Sequence, residues 1–378
     1  MSKSSVTAII LIYCSIFVAS SIYVMIPLQP LLAEKFGVSL QLVSLSSTLF
    51  VFPYALGLVF FGLLADRFPL RKLLLIGMAL LTVVTGLLSL TNTIHSLLIL
   101  RIFQGILAAS FAPVTFAYCF KYFTGSIQAF VIAMINTGFL FAGVFGQMIS
   151  AYFTALVSYH FVFVAFFGFY FSCFIGLFFT LRSSGPEKNK QTKKILPMIL
   201  SCVRDHTLQK IYGITFFLLL TIMLFYGSFE IYLYETWRDF PYSIQLLRFI
   251  SLIGIFPAFL SSILIKRFGA KAVLQFQLGV MVIGFIPAVI TLNVFTILIA
   301  SLFMVASTSL TIPMVVLLVG KHANLFKSTA VSLYSFVLLT GASTGSVLAP
   351  VIPFTTVLIL IPSVFLVLAF FSQLLPSD

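Results

Sequence analysis

Long apolar runs, separated by short clusters of charged residues, set the pattern of this chain. Stretches without a charged residue cover residues 4–33, 36–65, 73–100, 102–120 and 122–181, and similar stretches follow in the second half. About 20 helical residues are enough to cross the roughly 30 Å hydrocarbon core of a bilayer. The runs are continuously apolar rather than alternating. The pattern therefore favours membrane-spanning helices, which satisfy their own backbone groups, over a β-barrel.

The pattern predicts twelve membrane-spanning helices, six on each side of one polar stretch. A cleaved signal peptide is the alternative for residues 1–28, but that apolar run is longer than a signal peptide requires, and eleven further runs follow it. The predicted spans are residues 6–28, 43–65, 72–92, 96–119, 127–152, 159–181, 209–234, 243–266, 271–292, 294–319, 327–350 and 354–375.

The composition agrees with a protein that lies in a membrane. Apolar residues make up 61% of the chain and charged residues 8%, and the mean hydropathy is +1.20. A soluble domain is about half apolar and about a quarter charged. So few charged side chains cannot cover the surface of a soluble fold. The composition therefore excludes a soluble enzyme, a soluble nucleic-acid-binding protein and a disordered chain.

The positive charge of the chain lies mostly on one side of the predicted spans. With a cytoplasmic N-terminus, seventeen of the 21 basic residues fall on the inner side, and the others are Lys35, Arg101, Arg238 and Arg248. Because cytoplasmic loops are rich in Lys and Arg, we expect a multi-pass protein of the plasma (inner) membrane with both termini in the cytoplasm. The net charge of +13 is spread over short loops, so the expected partner is the lipid bilayer and not a nucleic acid.

A short sequence pattern in the first half of the chain recurs in the second half at an offset of about 200 residues. Asp66-Arg67-Phe68-Pro69 ends span two, and Lys266-Arg267-Phe268-Gly269 ends span eight. Parallel repeats of this kind are typical of transporters, with the binding site near the midplane. We expect an N-terminal six-helix bundle (1–181), a cytoplasmic linker (182–207) and a C-terminal six-helix bundle (208–378). The linker is either a solvated tether or an amphipathic segment that lies on anionic lipid.

The segment from Gly62 to Lys72 resembles the signature that joins spans two and three in the major facilitator superfamily, Gly-x-Leu-Ala-Asp-Arg-x-Gly-Arg-Lys. Pro69 stands at the second glycine of that signature and Leu70 at a position that is usually basic, so we expect the tight turn to be made differently. The resemblance implies an all-α membrane protein with 12 transmembrane helices in two pseudo-symmetric six-helix bundles.

Three further segments resemble one branch of that superfamily, the twelve-span drug:proton antiporters. Arg101-Ile102-Phe103-Gln104-Gly105 in span four is similar to the Arg-x-x-Gln-Gly signature of the branch. Gly138, Gly143 and Gly146 match part of its glycine-rich motif in span five, although the Gly-Pro pair of that motif is absent. Ser228-Phe229-Glu230 looks like the Phe-Glu segment of some bacterial multidrug exporters.

The signature residues after span two are candidates for a cytoplasmic gate. The resemblance implies that Asp66 acts as a latch on the start of span eleven, near residues 326–329, where a carboxylate meets the N-terminal dipole of a helix. A latch of this modest strength suits a protein that alternates between two states of similar free energy. The alternative is a solvated turn with anchoring charges. The candidate gate residues are Gly62, Asp66, Arg67, Arg71 and Lys72.

Three ionisable residues within spans are candidates for proton coupling. Glu230 lies in the outer half of span seven, and Arg248 follows across the adjoining turn. A desolvated carboxylate beside an arginine can take up and release a proton, and the alternative is a structural ion pair at the outer rim. Arg101 lies inside span four, where a charge should face protein or water. The resemblance implies a proton relay or a substrate-orienting group there, and the alternative is snorkelling to the outer interface.

The sparse polar residues within spans are candidates for contacting a substrate. Each of them is otherwise suited to a hydrogen bond between helices. An apolar cavity in a chain with 45 Phe residues suits bulky amphipathic solutes better than sugars or sugar phosphates. The candidate cavity residues are Tyr23, Tyr54, Gln104, Asn136, Tyr226, Thr311 and Tyr334.

Motifs for enzymatic chemistry are missing from the sequence. It has no Walker motif, no dinucleotide-binding glycine pattern and no Ser-His-Asp constellation. The four cysteines are widely spaced, which fits neither a disulfide framework nor a zinc site. We therefore expect a protein that is not an enzyme, that needs no cofactor or metal, and that works as a monomer.

These patterns together indicate a secondary active transporter. The first hypothesis is proton-coupled efflux of small amphipathic compounds by alternating access between the two halves, with the substrate and protons as small partners. The second is an uptake symporter or uniporter for a small metabolite, which the absent Gly-Pro pair of span five keeps open. The third is a membrane protein that senses or scaffolds without transport.

Overall fold

The computed structural model describes residues 3–182, 195–236, 244–323, 326–349 and 351–375. Within these ranges the regular structure is helical and no strand occurs. The helices are α1 (Lys3–Ser20), α2 (Gln29–Phe36), α3 (Leu40–Ala65), α4 (Leu70–Leu88), α5 (Ile94–Ala108), α6 (Phe111–Tyr122), α7 (Gly125–Leu156), α8 (Tyr159–Thr180), α9 (Ile195–Arg204), α10 (His206–Thr236), α11 (Ile244–Ser251), a 3₁₀ helix (Leu252–Leu260), α12 (Ser261–Ile290), α13 (Val294–His322), α14 (Lys327–Leu348) and α15 (Phe354–Gln373).

The helices confirm the predicted all-α membrane fold. In the described ranges, ten helical segments are long and apolar enough to cross a bilayer. One of them runs 42 residues from Phe249 to Ile290 and breaks at Gly269, so it holds two predicted spans. The shorter apolar stretch Ser4–Ser20 is the predicted first span. With these two observations, every one of the twelve predicted spans has its helical counterpart.

The chain divides into two compact units. The first consists of Met1–Phe123 with Gly138–Ile195, and the second of Thr124–Thr137 with Leu196–Asp378. The sequence-based limits of the two bundles, with a linker at 182–207, stay a prediction.

Corresponding helices make corresponding contacts inside each unit. In the first unit α8 packs on α1 and α4, and in the second unit α15 packs on α10 and α12. Glycines set the closest approaches. Gly146 of α7 faces the Ser20 carbonyl of α1, and Gly345 of α14 faces the Leu220 carbonyl of α10. These two contacts repeat at the offset of about 200 residues that the sequence shows.

Two predicted spans are less regular than the sequence suggests. The first span was predicted as one helix over residues 6–28, but α1 ends at Ser20 and residues 21–28 form turns. Pro27 lies within these turns, where its missing N–H and its ring disfavour an α-helix over the preceding turn. Span eight contains a nine-residue 3₁₀ helix around Pro257, although such helices rarely exceed three or four residues.

We expect Gly341→Val to destabilise the protein, because an added Cβ would overlap with the Phe216 carbonyl oxygen on α10. Overpacking of this kind costs about 1–3 kcal/mol. The measurement is thermal unfolding in detergent. Gly279→Val is the matched control in the same unit, since an added Cβ there has no heavy atom within 4 Å. Equal melting temperatures for the two variants would contradict the close approach of α10 and α14.

Candidate functional site

Arg101 lies at the centre of the first unit. Its helix, α5, begins after Thr93, whose side chain accepts a hydrogen bond from the Ser96 N–H. Arg101 follows two turns later, and its side chain is 0% exposed. The arginine therefore does not snorkel to an interface, which was the alternative left open by the sequence.

The guanidinium of Arg101 is held by neutral acceptors from three parts of the chain. Its Nε donates to the Ser46 carbonyl of α3 (3.1 Å). Its two Nη atoms donate to the Ser21 carbonyl, which follows the end of α1 (3.2 and 3.1 Å). Nη1 also donates to Oε1 of Gln104 (2.6 Å), and the Phe50 ring centroid lies 4.2 Å from Cζ.

This arrangement places a buried cation at the C-terminal end of α1. The last carbonyls of a helix carry partial negative charge and lack partners within the helix. A buried charge is costly unless hydrogen bonds satisfy it, and the fork of guanidinium donors meets that need. Arg101 therefore stabilises the break in span one and ties it to α3 and α5.

The three motif residues of span four, Arg101, Gln104 and Gly105, all contact neighbouring helices of the first unit. Gln104 accepts from Arg101 and donates through Nε2 to Oγ1 of Thr85 on α4 (2.9 Å). Gly105 lies against the Phe50 carbonyl oxygen of α3, where an added Cβ would overlap. The Arg-x-x-Gln-Gly pattern thus joins the first four predicted spans.

The candidate gate residues lie at the end of α3, in the turn that follows it and in the first turn of α4. Gly62 is buried, and its carbonyl accepts the Asp66 N–H at 3.3 Å. Asp66 and Arg67 are half-buried, and Lys72 is exposed. The predicted contact of Asp66 with the start of α14 joins different units and stays a prediction.

Arg71 caps the end of another helix in its unit. Its Nη2 donates to the Phe178 carbonyl in the last turn of α8 (3.0 Å). In the second unit, Lys271 Nζ donates to the Gln373 carbonyl at the end of α15 (3.0 Å). Both cations therefore sit where the helix dipole favours positive charge. The sequence echo indicated these two positions but not the carbonyls that they meet.

The turn between α3 and α4 differs in backbone conformation from its counterpart in the second unit. Pro69 precedes α4 with φ −59° and ψ 119°. Gly269 has φ +79° and ψ 161°, in a region that favours glycine. The two halves therefore reach similar helix starts by different backbone paths.

Most candidate cavity residues form hydrogen bonds or ring contacts within their own unit. Asn136 donates to the Ile132 carbonyl (2.8 Å), and Thr311 to the Ser307 carbonyl (2.8 Å). Tyr54 stacks on Phe50 with ring centroids 5.7 Å apart. Tyr23 is half-buried in the turns that follow α1. These contacts agree with the helix-packing alternative for the residues concerned.

Tyr334 differs from the other candidates. Its side chain is 1% exposed, and its hydroxyl has no hydrogen-bond partner in the part of the chain that the structure describes. An unsatisfied buried hydroxyl is costly. Tyr334 is therefore the candidate whose polar group the described residues leave unsatisfied.

A chain of hydroxyls joins three helices of the second unit. Tyr226 Oη lies 2.6 Å from Ser301 Oγ, Ser301 Oγ lies 2.6 Å from Ser251 Oγ, and Ser251 donates to the Leu247 carbonyl (2.8 Å). Because a carbonyl can only accept, Ser301 donates to Ser251 and Tyr226 to Ser301. No pattern in the sequence singles out either serine.

Glu230 and Arg248 lie in the helices where the sequence places them. Glu230 is in α10, four residues after Tyr226, and Arg248 is in α11, three residues before Ser251. Residues four apart share one face of a helix. The side chains of Glu230 and Arg248 lie outside the described part of the structure, so their pairing stays a prediction.

One sequence-family model and two known proteins are similar to this chain. The sequence model described as "Major Facilitator Superfamily" matches residues 9–350. The "Inner membrane transport protein YnfM" of Escherichia coli (strain K12) is 26% identical over 129 residues. That match covers 34% of this chain and 31% of the relative. The crystal structure of the human organic anion transporter MFSD10 (TETRAN) is similar with a TM-score of 0.79 and 15% identity, over 99% of this chain and 100% of that one.

Proposed function

The chain belongs to the major facilitator superfamily. We propose that it exports small amphipathic compounds in exchange for protons by alternating access. In this proposal it belongs to the drug:proton antiporter branch. The contacts of the Arg-x-x-Gln-Gly residues support this assignment. Arg101 donates to the Ser46 carbonyl, Gln104 donates to Thr85, and Gly105 packs against the Phe50 carbonyl.

The candidate cavity residues have few polar groups without a partner, and this indicates which kind of substrate the protein binds. Most candidate cavity residues already have partners, and Tyr334 is the candidate whose buried hydroxyl lacks a hydrogen bond among the described residues. A site with few directional hydrogen bonds and many aromatic rings recognises a ligand by apolar contact. This observation carries the proposal of an amphipathic solute.

In this proposal Glu230 carries the proton. Arg248 and Arg101 are the basic residues that take part in proton coupling. The hydroxyl chain ends on a carbonyl that cannot take up a proton, so it orients Tyr226 rather than conducting protons. Tyr226 and position 230 are four residues apart and lie on the same face of α10. A carboxylate removed from water beside an arginine can take up and release a proton, which is the role that we propose for Glu230.

The Asp66 latch completes the proposed cycle. In one state the carboxylate lies near the N-terminus of α14, and in the other state the two separate. A charge–dipole contact at a surface is worth about 0.3–1 kcal/mol. An interaction this weak permits both states to be populated.

The direction of transport is the decisive test. We expect inverted membrane vesicles, acidified inside, to concentrate an amphipathic fluorescent dye, and right-side-out vesicles not to do so. A protonophore should abolish the accumulation. Vesicles from cells without the protein are the control.

The alternative function is uptake of a metabolite. The absent Gly-Pro pair in span five favours it, because that pair belongs to the glycine-rich motif of the antiporters. Concentration of a metabolite by right-side-out vesicles would establish this alternative. No flux in reconstituted liposomes, for any solute tested, would favour a sensor or scaffold.

A further inference from the structure

The short helix α9, directly before α10, has two apolar faces. Met198 and Cys202 lie on one face and are 2% and 4% exposed. Leu200 and Val203 lie on the other and are 38% and 44% exposed. The first face is therefore buried within the protein, and the second is apolar surface.

The polar groups of α9 leave this exposed face largely apolar. Ser201 donates its hydroxyl hydrogen to the Met198 carbonyl one turn earlier (2.8 Å). Arg204, the last residue of the helix, is exposed and lies 40° around the helix from Leu200, at about 100° per residue. A helix with this layout suits the boundary between headgroups and acyl chains, where leucine enters the apolar layer and arginine meets phosphate.

Hydrogen bonds at the junction of α9 and α10 hold α9 at one end of α10. Asp205 Oδ1 accepts the N–H groups of Thr207 and Leu208 at the start of α10, each at 2.9 Å. The Gln209 amide reaches back to the Val203 carbonyl (2.8 Å). Because α10 is a membrane-spanning helix, α9 is held at the edge of the bilayer.

Positive charge accompanies the apolar face. Exposed Arg204 and Lys210 flank the junction of α9 and α10, and the sequence before α9 is rich in lysine. Each Lys or Arg near an anionic surface contributes to binding, and the inner leaflet carries anionic lipid. The basic stretch lies on the side that the sequence predicts to be cytoplasmic.

We propose that α9 lies in the membrane interface and binds anionic lipid headgroups, with Leu200 and Val203 inserted and Arg204 on the phosphates. This surface is separate from any transport site. The inference does not depend on the direction of transport or on proton coupling.

Site-directed spin labelling tests this proposal in the full-length protein. The four native cysteines are buried, so a nitroxide attaches selectively to Leu200→Cys or to the control Ser201→Cys on the flank of the helix. Each labelled protein is placed in nanodiscs of phosphatidylcholine with phosphatidylglycerol, or of phosphatidylcholine alone. Collision with oxygen reports the apolar layer, and collision with a nickel chelate reports water.

In the anionic discs we expect the label at 200 to collide mainly with oxygen and the label at 201 mainly with the nickel chelate. Removing phosphatidylglycerol should lower the oxygen preference at 200 by about fivefold, the factor that one basic residue near an anionic surface supplies. Arg204→Gln should weaken this lipid dependence and leave the values in neutral discs unchanged.

Two results would overturn the proposal. One is equal nickel access at 200 and 201 in both kinds of disc, which would place α9 in water. The other is protection of position 200 from both reagents, which would mean that a protein surface covers the helix. Val203→Cys provides a second position on the same face if the first variant does not fold.

Discussion

Replacing Arg101 with alanine is expected to lower the free energy of unfolding by about 3–4 kcal/mol, because the guanidinium makes four hydrogen bonds worth about 1 kcal/mol each. The Ser21 and Ser46 carbonyls and the Gln104 amide would each lose this donor. The break after α1 would also lose its cation. Thermal unfolding in detergent, together with the yield of folded protein, measures the effect.

Two companion variants show whether geometry or charge matters. Arg101→Lys keeps the charge but cannot reproduce the planar fork of donors, so we expect it to recover less than half of the loss. Phe103→Ala, on the exposed side of the same helix, should change stability by less than about 1 kcal/mol. If Arg101→Ala folds with wild-type stability and loses proton coupling only, then the arginine acts in the relay and not as a brace.

The sequence predicts the spans well, because a bilayer imposes one dominant constraint on each of them. Twenty apolar residues in a row have few alternatives to a helix across the membrane. The same constraint does not predict where a helix is interrupted within a span. Pro27 and Pro30 indicate a disturbance near the end of span one, yet the helix already ends at Ser20. Arg101 and Ser150 bind the Ser21 and Val24 carbonyls beyond that point. Such partners come from distant parts of the chain and leave no periodic signal.

The candidate site could be predicted only in part for a similar reason. Motif spacing identified Arg101 and Gln104, since the resemblance names their positions. It did not identify Ser251 and Ser301, because single serines in apolar helices are common and acquire a role only when the helices meet. Arg71 was predicted at a gate, and the structure places its side chain on the Phe178 carbonyl. A gating role for Arg71 therefore uses its other N–H groups or releases this cap.

Glu230→Gln is expected to abolish gradient-driven accumulation and to spare counterflow exchange. An imported proton gains about 2.3 kcal/mol per 100 mV, which corresponds to a concentration ratio of about fiftyfold. Glutamine retains the shape and hydrogen-bonding ability of the protonated acid but cannot release a proton. The accumulation ratio in energised vesicles should therefore fall to about one, whereas exchange of labelled for unlabelled solute continues.

The exposed carboxylate of Glu34, in α2, provides the matched control. Glu34→Gln makes the same chemical change outside the proposed pathway and should leave the accumulation ratio unchanged. Counterflow in Glu230→Gln separates loss of coupling from loss of folding, because a misfolded carrier exchanges nothing. Wild-type accumulation with wild-type pH dependence in Glu230→Gln would remove this residue from the mechanism. The proton would then need another carrier, and the Asp66 carboxylate would become the next group to vary.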